Sequence, residues 1–179
     1  MRTFILGLSW LAVIAASGAA APQAAVAGPA ENVTGVTITQ TGSYTGTSAS
    51  APAQAGQQSP TGTVGRATDW EFVSDSHDVA AKVGTQFGIE FQIAGAPAGG
   101  NVTLHLAVIF PPVGIHNPNT GVTLHEAKVA FPNMKIGALS LLGYGFDNEW
   151  EIVPGLWTLQ VWYQDQMLAA QSFTIAKAN

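Results

Sequence analysis

The sequence predicts an all-β fold, a single antiparallel β-sandwich. From Arg66 onward, apolar residues recur with a period of two, which is the side-chain period of a strand, and not with the 3.6-residue period of a helix. Helical periodicity is nowhere sustained past two turns, and the C-terminal run at 144–175 divides into consecutive strands joined by short turns. Strand follows strand along the chain, an order typical of two packed antiparallel sheets.

Residues 1–27 have the organisation of a Sec-type signal peptide. Arg2 supplies a positive n-region, an apolar core spans residues 4–16, and the small residues at 25–27 form a cleavage site of the A-x-A type. This core is shorter than the roughly 18 residues that a membrane-spanning helix needs. We therefore expect an exported protein, periplasmic or secreted. Its mature part is the sandwich domain at 28–179, which is not inserted into the membrane.

The composition narrows the possible partners. The chain carries 6 Lys plus Arg against 11 Asp plus Glu, and the net charge of −5 becomes −6 (5 against 11) once Arg2 leaves with the signal peptide. An acidic protein without basic clusters is not expected to bind nucleic acid or anionic lipid. The chain has no cysteine, so neither disulfide bonds nor a cysteine-linked lipid anchor is available to it.

The N-terminal part of the domain contains two strand candidates around a low-complexity segment. Residues 33–44 are rich in Thr and Val, and residues 69–73 alternate aromatic with acidic side chains, so both predict strands. Between them, residues 45–65 are almost entirely small or polar and carry no charge. Because this segment has so little to bury, we predict a flexible loop there.

The central part gives the clearest strands. At 87–93, four apolar side chains alternate with Gly, Glu and Gln, which predicts a strand with one face in water. A second alternating run at 102–110 ends at two prolines, which cannot donate ladder hydrogen bonds, and an exposed loop follows. Residues 122–131 are a weaker strand candidate. Residues 136–142 are ambiguous between a strand and a short helix.

Three strands are predicted in the C-terminal part. The first, at 146–152, would place three carboxylates on a solvated face. The sequence V-P-G-L at 153–156 fits a type II turn, at which the chain would reverse into a strand at 157–163. The last strand offers its apolar residues to the same core only if the turn is three residues long, 165–167, or if a bulge lies between residues 168 and 172. The predicted pairs are Leu159 with Phe173 and Trp157 with Ile175.

Several short motifs stand at strand ends and turns. They are Phe87-Gly88-Ile89, Phe110-Pro111-Pro112, Asn117-Pro118, Glu151 with Val153-Pro154-Gly155-Leu156-Trp157, and Phe173-Thr174-Ile175. In these motifs the chain resembles, over residues 33–175, an uncharacterised bacterial family known only as domain of unknown function 3859. The resemblance implies an immunoglobulin-like or fibronectin III-like sandwich in exported bacterial proteins, and it implies no catalytic residues.

Four residues are candidates for ligand binding. Trp162 shares its strand face with polar residues, so it is predicted to be partly exposed and able to stack on a sugar or a partner protein. Asp147, Glu149 and Glu151 would line one solvated face, for which the alternative interpretation is a charged sheet edge that keeps the protein soluble. Alternation assigns the other tryptophans of the domain to the core: Trp70, Trp150 and Trp157.

No metal, cofactor or catalytic residue is predicted. The histidines lack the spacing of a known zinc motif, and carboxylates on a straight strand splay apart instead of converging on a calcium ion. The sequence has no serine-nucleophile elbow and no phosphate-binding glycine motif. The groups weighed as metal ligands are His105, His116 and His125, and a second cluster of Asp75, His77 and Asp78.

The leading hypothesis is a non-enzymatic, exported binding, adhesion or scaffolding module whose partner is a protein or a glycan. A first alternative is a carbohydrate-binding module that uses Trp162. A second is a glycoside hydrolase-like enzyme, which would need two carboxyl groups flanking a sugar. The carboxylates available for it are Asp147, Glu149, Glu151, Asp69 and Glu71.

Overall fold

The structure is a computed structural model and describes residues 32–178, so the predicted signal peptide lies outside the described residues. Within this range, no helix is long and apolar enough to span a membrane. The strands are β1 (Asn32–Pro52), β2 (Thr63–Ser74), β3 (Asp78–Ala81), β4 (Gln86–Ala96), β5 (Asn101–Ile109), β6 (Ile115–His116), β7 (Thr123–Leu124), β8 (Glu126–Lys135), β9 (Leu139–Gly145), β10 (Gly155–Tyr163) and β11 (Gln166–Lys177), with a 3₁₀ helix at Glu149–Glu151.

Two sheets form a sandwich, which confirms the predicted fold class. The first sheet has the strand order β2-β1-β4-β9, and the second has the order β3-β11-β10-β5-β8. Neighbouring strands are antiparallel except that the short β3 runs parallel to β11. The segment that was ambiguous in the sequence, 136–142, becomes a strand from Leu139, and the weaker candidate at 122–131 is interrupted at His125 before β8 begins.

The core between the sheets is centred on Phe87. The ring of Phe87 lies 5.1 Å from that of Phe173, 5.7 Å from that of Phe146 and 5.8 Å from that of Trp157. All four apolar residues of the predicted face at 87–93 are at most 1% exposed, so that prediction is confirmed. Fully burying side chains of this size contributes roughly 1.5–3 kcal/mol each, which makes this aromatic cluster a main source of stability in a chain without disulfides.

The tryptophans divide differently from the prediction. Trp157 is fully buried, and its indole Nε1 donates a hydrogen bond to the carbonyl of Val153 at 2.9 Å. Trp150 is only half-buried, although it packs against the core. Trp70 lies outside the core, because β2 is the outermost strand of its sheet, and the Trp70 indole reaches across to Glu90 Oε2 at 3.0 Å.

The predicted loop at 45–65 is shorter in the structure, because β1 continues to Pro52 and β2 begins at Thr63, which leaves residues 53–62 between the strands. The small side chains of this segment have little to bury. The two strands nevertheless pair with each other from Tyr44–Phe72 out to Pro52–Thr63, so main-chain hydrogen bonds order the segment although it has no core of its own. The pairing of β1 with β4 stops at Tyr44. Residues 45–71 therefore extend beyond the first sheet as a β-ribbon, which we call the arm.

The predicted strand at 146–152 is also wrong. After β9 the chain leaves the first sheet, forms the 3₁₀ helix and joins the second sheet at Gly155, so the sequence at 153–156 does not close a hairpin. The Glu151 side chain accepts a hydrogen bond from the main-chain N–H of Asn148, and the N–H of Glu151 donates to the carbonyl of Asn148. This local capping exchange competes with an extended strand.

The register of the last hairpin differs from the predicted one. The turn has two residues, Gln164 and Asp165, and Gln164 adopts a positive φ of 52°. Val161 pairs with Ala169 and Trp162 with Met167, so Leu168 is the extra residue of a bulge. The bulge keeps the apolar residues of β11 on the core face, as the prediction required. The predicted pairs are nevertheless wrong, since Trp157 opposes Phe173 and Leu159 opposes Gln171.

Candidate functional site

The arm is held against the edge of the second sheet. At its tip, Gln58 forms an isolated β-bridge with Lys128 of β8, with N···O distances of 2.9 and 3.1 Å. The Gln57 side chain donates to the carbonyl of Ala130 at 3.3 Å. The buried side chain of Asn117 donates to the carbonyl of Pro60 at 2.8 Å, which fixes the tip from the other side. The arm thus crosses the open flank of the sandwich from one sheet to the other.

A cavity of about 320 Å³ lies beneath the arm. One wall is β9, which pairs on one side with β4 and has no other strand partner among the described residues. The other wall is the inner face of β5 and β8. A volume of this size falls in the range of natural small-ligand sites. The residues that line it from the two sheets include Leu106, Val108, Ala127, Val129, Phe131, Met134, Leu139, Leu141, Leu142 and Tyr144.

The floor and the ceiling of the cavity have different chemistry. The sheet residues that form the floor are mostly aliphatic, and alternate residues of β8 face it because a strand presents every second side chain to one side. The arm forms the ceiling, and five of its eleven residues there carry hydroxyls, while the others include Val64, Arg66 and Trp70. The hydroxyl residues are Ser48, Ser50, Ser59, Thr61 and Thr63. The cavity can therefore hold a ligand that is apolar along one side and polar along the other.

The end of the cavity at the base of the arm is polar. Gln86 Oε1 is buried there without a hydrogen-bond partner, while Gln86 Nε2 lies 3.5 Å from the carbonyl of Gly46. Burial raises the pKa of the neighbouring Tyr44 to about 12. The Tyr44 ring lies over Gly143, where a Cβ atom would come within 2.7 Å of Tyr44 Cε1. An uncommitted carbonyl oxygen in such a place is a site for a donor group of a ligand.

Glu151 is buried and structural, which corrects its predicted place on a solvated face. Its Oε1 accepts hydrogen bonds from the main-chain and side-chain nitrogens of Asn148 at 2.8 Å, and its Oε2 accepts one from the Tyr144 hydroxyl at 2.7 Å. The pKa of Tyr144 is raised well above its usual value. The larger cause is desolvation of the buried hydroxyl, and the second is the negative charge of the Glu151 carboxylate. Because the chain at 149–151 is helical, the three predicted carboxylates do not share one face.

The remaining carboxylates of that set have different surroundings. Asp147 is exposed and borders the cavity next to the end of β9. Glu149 points away to Lys177, with which it forms an exposed ion pair at 2.9 Å. Asp69 and Glu71 lie exposed on the arm in β2 and do not line the cavity. The five carboxylates considered for hydrolysis are thus distributed over three places, and Glu151 is fully engaged.

Arg66 supplies a positive charge to the cavity. Its guanidinium lies 5.7 Å from the centre of the Phe131 ring, a cation–π arrangement. Within residues 32–178 neither Arg66 nor Asp147 takes part in an ion pair, since the one pair there joins Lys177 and Glu149. The cavity lining therefore carries two uncommitted charges of opposite sign, one on the arm and one beyond the end of β9.

Trp162 lies apart from the cavity, on the outer face of the second sheet. It is half-buried, its Nε1 donates to Gln160 Oε1 at 3.0 Å, and Lys128 Nζ lies 5.9 Å from the centre of its ring. His105 lies directly opposite it in β5. The predicted partial exposure is correct, but the indole already has two polar neighbours from the protein itself.

The histidines serve local contacts. His116 hydrogen-bonds with Thr123 at 3.0 Å across the short β6–β7 ribbon, and His77 lies 2.5 Å from Thr41 Oγ1 and stacks edge-on against Phe173. In the described part of the chain, no three His, Asp or Glu side chains are grouped so that they could hold a metal ion.

The fold and its motifs resemble those of known proteins. A model of a protein family described as a domain of unknown function, DUF3859, matches residues 36–175. The chain belongs to this family. The DUF3859 resemblance noted in the motifs is thereby confirmed. The structure also resembles the crystal structure of an immunoglobulin-like protein from Pseudomonas aeruginosa, with 24% identity, coverage of 79% of this chain and 96% of that chain, and a TM-score of 0.55. At this identity, the likeness shows an immunoglobulin-like fold.

No curated protein matches the DUF3859 chain in sequence.

The residues that form the cavity do not stand out in the sequence. Tyr44, Gln86 and Tyr144 sit in ordinary strand patterns on neighbouring strands of the first sheet, and the space beside them becomes a cavity because the arm crosses to the second sheet. One signal was present: Arg66 ends a stretch without any charge that begins after Glu31. A charged side chain next to a run of small residues is not expected to face the core.

Proposed function

We propose that this DUF3859 protein is a non-enzymatic binding module and that it holds its ligand in the cavity beneath the arm. The observation that carries the proposal is the cavity itself, with its aliphatic floor, its hydroxyl ceiling and the uncommitted Gln86 Oε1 at one end. Concave, partly apolar sites with a few placed polar groups are where proteins bind small ligands and segments of partners.

The arm supports the same proposal, because it adds little to the core. Pro60 is the one buried residue of the arm, which adds nothing to the aliphatic and aromatic core, and the ribbon ends in contacts with β8 and Asn117. Ordering so many residues costs conformational entropy. Because the arm covers a cavity and packs against little else, a role in ligand binding explains its ordered structure better than a role in stabilising the fold.

Export is part of the proposal. The leader at 1–27 directs the protein to the periplasm or out of the cell, where a protein without cysteine needs no oxidising machinery to fold. A fusion of residues 1–31 to a reporter that is active only outside the cytoplasm tests this part. Reporter activity supports export, and a reporter retained in the cytoplasm contradicts it.

A fluorescent probe tests the cavity as a binding site. Anilinonaphthalene sulfonate should bind the native protein saturably with increased emission, because its rings match the floor and its sulfonate matches Arg66. Val129 is half-buried in the cavity wall, so Val129→Trp fills the space. The matched control is Val73→Trp, at a position that is 63% exposed.

We expect the enhancement to be retained by the control and lost in Val129→Trp, with both variants folded by circular dichroism. Equal enhancement in the two variants would contradict the cavity as the site. If Val129→Trp does not fold, Leu141→Phe on the opposite wall replaces it. An absence of any enhancement in the native protein also contradicts the proposal.

A second candidate function, glycan binding through Trp162, is favoured by the partial exposure of the indole on the outer sheet face. Aromatic rings on sheets can stack on sugars, and Lys128 and Gln160 would supply polar contacts. A glycan array probed with the native protein and with Trp162→Ala tests it. Binding that disappears in the variant supports this second site, and an array without any signal contradicts it.

A further inference from the structure

We propose that the natural occupant of the cavity is an extended polypeptide segment of another protein, which adds a strand to the free edge of β9. This inference rests on the proposed function, because it names the ligand class for the same cavity. It follows from three features of the lining: the way in which β9 borders the space, the spacing of the side chains opposite, and the two uncommitted charges.

The cavity runs along the edge of β9 and not merely over one of its faces. All seven residues of β9 line it, whereas β8 contributes four of its ten, Ala127, Val129, Phe131 and Met134, of which the first three alternate. Successive residues of a strand point to opposite faces, so a space bordered by every residue must lie beside the main chain. The strand edge that faces the cavity therefore presents N–H and C=O groups that have no strand partner in the described residues.

Main-chain groups along an unpaired edge select a ligand with main-chain groups of its own. A peptide in extended conformation satisfies them all at once through ladder hydrogen bonds, the mode of recognition called β-augmentation. An acyl chain has no donors or acceptors to offer along its length. Gln86 of β4 pairs with Gly145 on the other side of β9, and its side chain lies over Gly145, so a peptide that reaches past this end of β9 could donate a further N–H to Gln86 Oε1.

The floor matches the side chains of such a strand. Val129 and Phe131 are two residues apart on one face of β8, and Leu106 opposite Val129 extends the row across β5. A strand added to β9 would direct every second side chain to this aliphatic row and the intervening ones to the hydroxyl ceiling of the arm. The fitting sequence therefore alternates apolar residues with serine or threonine.

The charges of the lining fit a segment with one charge of each sign. Asp147 lies two residues beyond the Gly145 end of β9, and Arg66 lies over Phe131 on the opposite wall. A peptide that carries one basic and one acidic residue would offer a partner to each of these charges. The arm is held at its tip by four hydrogen bonds, two between Gln58 and Lys128, one from Gln57 and one from Asn117, so it can lift to admit a strand.

Synthetic heptapeptides test the proposal directly. Each has apolar residues at its second, fourth and sixth positions, threonine at its third and fifth, and glutamate and lysine at its ends, in both charge orders. The apolar positions are varied over valine, leucine, isoleucine and phenylalanine. The control peptides have identical side chains but carry N-methyl groups at alternate residues, which removes ladder donors and leaves the apolar surface intact. Fluorescence anisotropy of labelled peptides measures binding to the full domain.

We expect members of the panel to bind, one charge order to bind more tightly than the other, and N-methylation on the pairing edge to weaken binding by at least about tenfold, the loss of roughly one to two net hydrogen bonds. Val129→Trp should block the peptides, and Val73→Trp should not. The charge preference should decrease in Arg66→Gln, a position that is exposed and does not pack in the core.

Two results overturn the proposal: no member of the panel binds, or N-methylated and unmodified peptides bind equally. Neither result is confused with failure of the cavity. If anilinonaphthalene sulfonate binds and is excluded by Val129→Trp while the peptides fail, the cavity remains a binding site and the strand as its occupant is refuted. If neither the probe nor the peptides bind, both proposals are refuted.

Discussion

Gln58 at the tip of the arm and Lys128 in β8 are joined by two reciprocal main-chain hydrogen bonds, 2.9 and 3.1 Å long, although 69 residues separate them in sequence. The bridge turns a ribbon of small polar residues into the cover of the open flank of the sandwich. Sheet edges are commonly protected by such covers. Here the cover stands off from the edge of β9 and encloses a cavity.

The anchor of the arm at Asn117 gives the first prediction. Asn117→Ala removes the hydrogen bond to Pro60 and leaves the N–H groups of Asn119 and Thr120 without their side-chain acceptor. We expect a loss of about 1–3 kcal/mol in the free energy of unfolding and faster cleavage of the arm by a protease. Urea denaturation and limited proteolysis measure the two effects. Asn119→Ala, at an exposed position, is the control; equal effects in both would refute the role of Asn117.

The second prediction concerns Gly143 beneath the ring of Tyr44. Gly143→Ala places a Cβ within 2.7 Å of Tyr44 Cε1, so the ring and the arm above it must shift. We expect destabilisation of about 1–3 kcal/mol, the range for overpacking. In the double variant with Tyr44→Ala, the additional cost of the alanine should largely disappear. A double-mutant cycle by chemical denaturation measures this coupling, and strictly additive effects would argue against the contact.

The third prediction is a loss of stability at alkaline pH. The pKa of Tyr44 is about 12 in the folded protein and about 10 in the unfolded chain, so the unfolded state releases the proton first. The stability from this group is complete below pH 10 and is lost as the pH rises towards 12, by up to roughly 3 kcal/mol. Tyr144 acts in the same direction.

Urea denaturation across this pH range measures the effect. Tyr44→Phe should reduce the slope of stability against pH, with the part due to Tyr144 remaining. If stability falls with pH equally steeply in Tyr44→Phe and in the native protein, the pKa of Tyr44 is not raised in the folded state.

The fourth prediction tests the core. Phe87 is fully buried among Phe173, Phe146 and Trp157. Phe87→Ala should cost about 3–5 kcal/mol, the range for deleting a buried aromatic ring. Val73→Ala, at a position 63% exposed, should change stability by less than about 0.5 kcal/mol. Thermal unfolding compares the two, and a Phe87 variant as stable as the control would place the centre of the core elsewhere.

The parts of the fold that the sequence predicts are those governed by local alternation. The face at 87–93 and the buried residues of β10 follow from a period of two, because each side chain is directed by its own strand. The 3₁₀ helix at 149–151 escapes this pattern, since a short capping exchange between Asn148 and Glu151 overrides the alternation around it.

The parts that the sequence does not predict depend on distant contacts. The hairpin register changes by one residue at the Leu168 bulge, and nothing in the local pattern distinguishes that bulge from a longer turn. The arm becomes ordered ribbon through its tip contacts with β8 and Asn117. The cavity exists only because those contacts form, so its residues carry no local signature.

The central claim is that ligand binds beneath the arm, along β9, and not on the outer face that carries Trp162. Amide chemical-shift mapping by NMR during titration with anilinonaphthalene sulfonate tests it most directly. We predict that the largest shifts fall on Leu139–Gly145 and on the central residues of β8, with Gln160–Trp162 unaffected. Shifts concentrated around Trp162, with none along β9, would contradict it.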